Sequence, residues 1–186
     1  MKSKKTITII ALAILTLVIT ASLYSPSLAA SDAGRGGPPN GRAQQSNVVG
    51  TTTAATLSEQ EAADLAAAIQ EEYTAMNTYQ AVINALGDVQ PFVRIARSEQ
   101  QHVNALIRVA ERFGAEVPAN AGEVAEIEWN TLEEACEMGA TFEQMDAALY
   151  DELLLNTTNP ALIRVYSNLQ RASLEKHLPA FEACNP

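Results

Sequence analysis

In residues 57–186, apolar side chains recur every three or four positions, which places them on one face of an α-helix. Ser58 and Glu61 have the spacing of a capping box and Gly87 is a typical helix end, so we predict the first helix between them. Pro91 and Gly114 predict the bounds of the second helix. No alternating pattern typical of strands competes with these signals. The sequence therefore predicts an all-α fold.

The third helical region is predicted in two pieces. Thr131 begins a short helix with a capping signal, and we expect Gly139 to interrupt it, because glycine is a poor helix former. Thr141 supplies a second capping signal, from which a helix is expected to run to about Asn156. Both pieces belong to the same arm of a helical hairpin.

The fourth helical region begins at Asn159–Pro160, and we expect Pro179 to bend or end it. Residues 115–130 connect the second helix to the third and contain proline and glycine. In extended form, a segment of this length reaches along a whole helical bundle. Two helical hairpins joined by such a crossover make a four-helix bundle, with the connectivity of ferritin-like folds. We predict this architecture for residues 57–186.

Six acidic or imidazole side chains interrupt the apolar faces of these helices. Glu99 and His102 follow Ile95 at helical spacing, so both are expected to point toward the core. A buried carboxylate is costly unless it is paired or bound to a cation. Because the six residues come from all four helices, we predict that they share a metal site. They are Glu72, Glu99, His102, Glu143, Asp146 and His177.

The positions of these residues relative to the turns support a common site. If the first two helices turn near Gly87, Glu72 lies 15 residues before the turn and His102 lies 15 after it. The same count in the second hairpin places Glu143 and His177 about one helical turn apart. Both pairs are therefore expected near the middle of the bundle.

The residue types indicate which ions fit. Carboxylate oxygens and imidazole nitrogens suit iron or manganese, and also zinc, with one or two ions bound. Each polar residue has a plainer interpretation, in which the core acids pair with neighbouring groups and no metal is present. Tyr79 is interpreted first as a core residue. Glu175 lies two residues before His177, about 200° around the helix, so we expect it to face away from the site.

Two stretches resemble the first and second helices of bacterioferritin-type proteins, namely EEYTAMNTYQAV from Glu71 and SEQQHVNALIRVAERFG from Ser98. The later stretches GATFEQMDAAL and YSNLQRASLEKHLPAF resemble a less characterised ferritin-like family, catalogued as domain of unknown function 2202. The resemblance implies a ferritin-like bundle in which Glu72, Glu99 and His102 bind metal. It also implies that a tyrosine, Tyr79, lies beside the metal site.

The last helix departs from the bacterioferritin pattern. That pattern places a second carboxylate three residues before the last histidine, but Leu174 occupies this position before His177. On helix three, Glu143 and Asp146 stand where the pattern has one clear ligand. The ligand count therefore fits a single metal ion or an asymmetric pair.

The amino-terminal residues indicate export. In residues 1–30, lysines precede an apolar run and small residues, which is typical of a signal peptide. The same segment could instead be an amino-terminal anchor, with residues 6–23 as a membrane tether. Either interpretation predicts an extracytoplasmic protein, whether secreted, periplasmic or on the cell surface. Residues 31–56 are rich in Gly, Pro, Ser and Thr and are predicted to be a flexible linker.

Cysteine content and charge limit the function further. The chain has two cysteines, Cys136 and Cys184, and an even number in an exported protein favours a disulfide. A net charge of −10 disfavours nucleic acid as a partner. We expect an exported ferritin-like metal-binding protein. A further expectation is oxidoreductase activity, in which iron reacts with oxygen or peroxide. The alternative is a non-enzymatic envelope or surface bundle without metal, and the sequence leaves a homo-oligomer open.

Overall fold

A computed structural model describes residues 56–126 and 128–184. Within these residues the chain is helical and has no strands, which confirms the predicted all-α four-helix bundle. The predicted signal peptide or anchor, the tether at residues 6–23 and the linker up to residue 55 lie outside this part. No helix of the described part is both long and apolar enough to cross a membrane. The helices are α1 (Glu59–Leu86), α2 (Phe92–Phe113), α3 (Leu132–Leu155), α4 (Pro160–Ala172) and α5 (Leu178–Glu182), with a π-helical turn (Ser173–His177) between α4 and α5.

Local capping sets where the long helices begin. The Ser58 hydroxyl accepts a hydrogen bond from the Glu61 backbone N–H at 3.1 Å, and the Glu61 carboxylate accepts one from the Ser58 N–H at 3.0 Å. This reciprocal pair confirms the predicted capping box. Thr131 and Asn159 cap α3 and α4 through their side chains. Gly114 ends α2 in the left-handed conformation, with φ of 67°.

Helix α3 is continuous, so the predicted interruption at Gly139 is wrong. The Thr141 hydroxyl donates to the Glu137 carbonyl within the helix and does not cap a new one. Glycine is present for a different reason. A Cβ atom at Gly139 would lie 2.6 Å from the ring of Phe181, so only glycine allows the carboxyl-terminal helix to approach this closely.

The fourth helical region continues past Pro179 to Glu182, so of the two predicted outcomes, a bend or an end at this proline, the end is wrong. The irregularity lies just before the proline, where the Leu178 N–H donates to the Ser173 carbonyl across five residues. This π-helical turn buries Ser173 and His177 on the inner face. Glu175 is exposed, as predicted.

The helices form two hairpins joined by a crossover. Helix α1 packs mainly against α2, and α3 packs mainly against α4 and its continuation. The crossover lies along α1, because Gln70 donates to the Ala119 carbonyl and Asn77 donates to the Glu123 carbonyl. This arrangement confirms the predicted connectivity.

The bundle core has an apolar cluster on each side of a polar layer. One cluster contains Leu65 and Leu162, and the other contains Phe92 and Phe181. Beside the second cluster, a disulfide joins the start of α3 to the end of α5, with 5.9 Å between the Cα atoms. Its partners, Cys136 and Cys184, are the predicted pair. The polar layer between the two clusters contains the buried acids and histidines.

Replacing Gly139 with alanine is expected to destabilise the fold. The added methyl group collides with Phe181, at a cost of about 1–3 kcal/mol, which exceeds the gain of under about 1 kcal/mol from better helix propensity. Urea unfolding of Gly139→Ala measures the net change in free energy. In a Phe181→Leu background the same substitution is expected to cost less, and an equal cost in both backgrounds would contradict the steric explanation.

Candidate metal centre

All six predicted site residues are buried in the polar layer. The first group forms around His102 on α2. Its Nδ1 atom lies 2.7 Å from Glu99 Oε2 and 3.2 Å from Glu72 Oε2. Glu99 lies one helical turn before His102, and Glu72 reaches them from α1. Glu72 and His102 therefore lie at the same height along the bundle, as predicted.

The second group forms around His177, at the end of the π-helical turn. Its Nδ1 atom lies 3.0 Å from Glu99 Oε1 and 3.3 Å from Glu143 Oε2. Glu99 therefore presents one carboxylate oxygen to each histidine. The two groups of three residues, which share this carboxylate, each have ligand atoms within 4.8 Å of one another.

Three of the four distances from a histidine Nδ1 to a carboxylate oxygen match the spacing of ligands around one cation, and the fourth, 2.7 Å between His102 and Glu99, is shorter. Ligand atoms at about 2.1 Å from one ion, at tetrahedral or octahedral angles, are about 3.0–3.4 Å apart. Each Nδ1 faces two carboxylate oxygens, but a single N–H cannot point at both. Glu99 Oε1 is buried, and the approach of His177 Nδ1 at 3.0 Å lacks the geometry of a hydrogen bond. A cation in each group would satisfy all of these atoms together.

Two tyrosines fix the outer carboxylates, each from the opposite hairpin. Tyr79 on α1 donates to Glu143 Oε1 at 2.6 Å, and Tyr150 on α3 donates to Glu72 Oε1 at 2.5 Å. Tyr150 is not among the residues predicted from the sequence to lie at the site. A signal was present, because Tyr79 lies seven residues after Glu72 and Tyr150 lies seven residues after Glu143.

Ser98 contacts the outer edge of both imidazole rings. Its hydroxyl lies 3.0 Å from His177 Nε2 and 3.4 Å from His102 Nε2. The two rings stack with centroids 5.3 Å apart. When Nδ1 binds a cation, Nε2 carries the hydrogen, so a single serine can accept from both rings and hold their orientation. No pattern in the sequence distinguishes this serine.

Asp146 lies in the same layer but belongs to neither group of three. Its Oδ2 atom accepts a hydrogen bond from the Ser173 hydroxyl at 2.6 Å. Its Oδ1 atom is buried and has no partner. The structure therefore brings five of the six predicted residues into direct contact and leaves Asp146 beside them.

The acids in the layer titrate differently because their partners differ. Burial raises the pKa of Glu72 to about 8, although the contact with His102 opposes this shift. Burial would also raise the pKa of Glu99, but contacts with both histidines lower it to about 2. Burial raises the pKa of Glu143 and raises that of Asp146 well above its usual range. The shared acid is therefore the one that most readily carries charge.

The histidines hold protons tightly when no cation is bound. Burial disfavours the imidazolium ion, yet contacts with Glu72 and Glu99 raise the pKa of His102 to about 11. Contacts with Glu143 and Glu99 raise the pKa of His177 to about 9 against the same cost of burial. Protons on Nδ1 thus occupy the places where a cation would bind.

A surface cavity of about 380 Å³ reaches the layer from the outside. It is lined by Arg94, Ile95, Ser98, Lys176 and His177. Because Ser98 and His177 line both the cavity and the polar layer, small solutes can approach the histidine edge of the site here.

These features define a class of protein: a four-helix bundle whose core contains a layer of carboxylates and histidines that could hold a metal ion. Comparison with known proteins gives the family. Residues 61–184, two thirds of the chain, match the family described as an uncharacterized protein domain, DUF2202. The chain belongs to this family.

One relative extends the comparison to a solved structure. The uncharacterized protein MJ0754 of Methanocaldococcus jannaschii is 28% identical over 140 residues, which cover 67% of this chain and 75% of that protein. The crystal structure of the hypothetical protein MJ0754 from Methanococcus jannaschii DSM 2661 is similar with a TM-score of 0.60 and 26% identity. That similarity covers 68% of this chain and 80% of the crystallised one. Neither name states a function.

The metal-free protein is expected to lose stability as pH rises from 6.5 to 9.5. A raised histidine pKa stabilises the fold below the unfolded value of about 6.5, and this contribution disappears as pH rises through about 9 for His177. The raised pKa of Glu72 acts in the same direction between pH 4.5 and about 8, because ionisation is easier in the unfolded chain. We expect the melting temperature to fall by roughly 5–10 °C.

Calorimetry of chelator-treated protein measures this effect. The chain has two histidines and both lie in the polar layer, so no other imidazole contributes to the titration. A melting temperature that stays constant or rises over this pH range would contradict the claim that His102 and His177 hold protons in the metal-free protein.

Proposed function

We propose that this is an exported ferritin-like metal-binding protein whose polar layer binds two divalent cations, one on each side of Glu99. The observation that carries this proposal is the shared carboxylate, with Oε2 facing His102 and Oε1 facing His177. Glu72 and Glu143 are the outer ligands. Two ion positions correspond to the second of the two alternatives drawn from the sequence, which were a single metal ion and an asymmetric pair.

The donor set suits iron, manganese or zinc. Every donor in the two groups is a carboxylate oxygen or an imidazole nitrogen, and these suit iron, manganese and zinc. Soft thiolate ligands are not offered, since Cys136 and Cys184 form a disulfide. Iron or manganese would supply electron-transfer chemistry with dioxygen or peroxide, and zinc would not.

The chain's own residues would prepare the site for such chemistry. Three ionised glutamates would offset three of the four positive charges of two divalent ions, and burial keeps bulk water away. Tyr79 and Tyr150 fix the outer carboxylates in place before a cation arrives, so little rearrangement is needed on binding. The protons held by His102 and His177 would leave as the ions bind, which makes binding pH-dependent.

Export and the ferritin-like relationship rest on separate observations. The disulfide between α3 and α5 supports a location outside the cytoplasm. The bundle connectivity and the central layer support the resemblance of α1 and α2 to bacterioferritin-type proteins. We infer oxidoreductase activity as the extension of metal binding, since the cavity beside Ser98 gives small oxidants a route to the histidine edge.

Metal content tests the proposal directly. Protein loaded anaerobically with Fe²⁺ or Mn²⁺ and then desalted is expected to retain two ions per chain by mass spectrometry. Glu99→Ala removes a ligand from both groups and is expected to retain less than one ion. His102→Ala is expected to retain one, because the His177 group stays intact.

Glu111→Ala provides the matched control, because this acid is exposed on α2 and lies outside both groups. It is expected to retain two ions. A wild-type protein that stays empty after loading would support the metal-free bundle, in which the histidines and acids pair only with each other. Equal retention in Glu99→Ala and wild type would also contradict the proposed centre.

A further inference from the structure

The two hairpins contribute nearly equivalent residues to the polar layer, with one exception. Glu72 and Tyr79 on α1 correspond to Glu143 and Tyr150 on α3, and each tyrosine binds the other hairpin's glutamate. His102 likewise corresponds to His177. Glu99, however, has no carboxylate equivalent on the last helix.

Ser173 occupies the position equivalent to Glu99. Glu99 lies three residues before His102, and Ser173 lies four before His177 because the π-helical turn adds one residue. The turn buries Ser173 completely, whereas Leu174, at the expected spacing, is 45% exposed. A carboxylate at residue 174 would face outward. The fourth helix therefore offers a hydroxyl where a bridging acid is needed.

Asp146 on α3 brings a carboxylate beside Ser173. The Ser173 hydroxyl donates to Asp146 Oδ2 at 2.6 Å and so holds the side chain against the last helix. On α1 the corresponding residue, three after Glu72, is Ala75, which has no carboxylate. The extra acid thus occurs only in the hairpin that lacks the bridging glutamate.

The free oxygen of Asp146 points to a missing partner. Asp146 is 5% exposed, and its Oδ1 atom has no hydrogen-bond partner among the described residues. A neutral carboxyl group could carry its hydrogen on Oδ2 and donate it to Ser173, whose hydroxyl would then donate to the Leu169 carbonyl at 3.2 Å, but Oδ1 would still lack a donor. An ionised carboxylate would need a donor or a cation at Oδ1. In either state, pairing with the described residues leaves one oxygen of this buried acid unsatisfied.

We propose that Asp146 is the second central ligand of the metal centre, replacing a carboxylate that the fourth helix lacks and binding through Oδ1 while Ser173 holds Oδ2. This inference rests on the proposed metal-binding function. Because only one oxygen is free, Asp146 contributes fewer bonds than Glu99 does. We therefore expect the protein to bind the two ions with unequal affinity.

Titration with Mn²⁺, followed by the electron paramagnetic resonance signal of the free ion, tests this assignment in the wild-type protein and two variants. Asp146→Asn keeps the shape of the side chain and its contact with Ser173 but weakens it as a ligand. We expect the second ion to bind at least about tenfold more weakly, and the first to change less. Asp151→Asn, an exposed position on the same helix with the same change of charge, is expected to leave both affinities unchanged.

The wild-type titration separates the two proposals. If wild-type protein binds no Mn²⁺, the proposed function fails and this assignment fails with it. If wild-type protein binds two ions and Asp146→Asn binds both with unchanged affinity, only the assignment of Asp146 is overturned.

Ser173→Ala provides the test if Asp146→Asn does not fold. Loss of the hydroxyl releases Oδ2 and leaves Asp146 poorly oriented, so the second ion is again expected to bind about tenfold more weakly. Ser173→Thr retains a hydroxyl and is expected to recover most of the affinity. Equal Mn²⁺ affinities in wild type, Ser173→Ala and Ser173→Thr would overturn the proposal.

Discussion

The structure depends on the burial of one carboxylate between two imidazole rings. Glu99 faces His102 with one oxygen and His177 with the other, at 2.7 Å and 3.0 Å. Such a group is costly in a protein core unless positive charge surrounds it. Protons on the histidines supply that charge in the metal-free protein, and we propose that metal ions supply it in the loaded one. The neighbouring acids and tyrosines are arranged around this pairing.

Two hairpins with nearly matching residues meet at this layer, and the tyrosines cross between them. Because Tyr79 binds Glu143 and Tyr150 binds Glu72, neither hairpin completes its own half of the site. Assembly of the bundle and assembly of the site are therefore the same event. The disulfide then ties the last helix, which carries His177, to the start of α3.

The sequence predicted features whose signals are local. Capping residues such as Ser58 and the apolar repeat located the helices, and polar residues on apolar faces located the layer. Contacts between distant segments were less predictable. The local sequence at Gly139 predicts a break in the helix, because the close approach to Phe181 has no local signal, and nothing in the sequence indicates the π-helical turn before Pro179. The position of Asp146 against Ser173 depends on that turn, so it required the structure.

Anomalous diffraction from crystals of the manganese-loaded protein tests the central claim most directly. We predict two manganese peaks inside the bundle, one on each side of the Glu99 carboxylate, with His102 Nδ1 and His177 Nδ1 each within about 2.3 Å of an ion. A loaded crystal with manganese only on surface acids, and with the histidines still paired to Glu99 as in the metal-free protein, would contradict the claim.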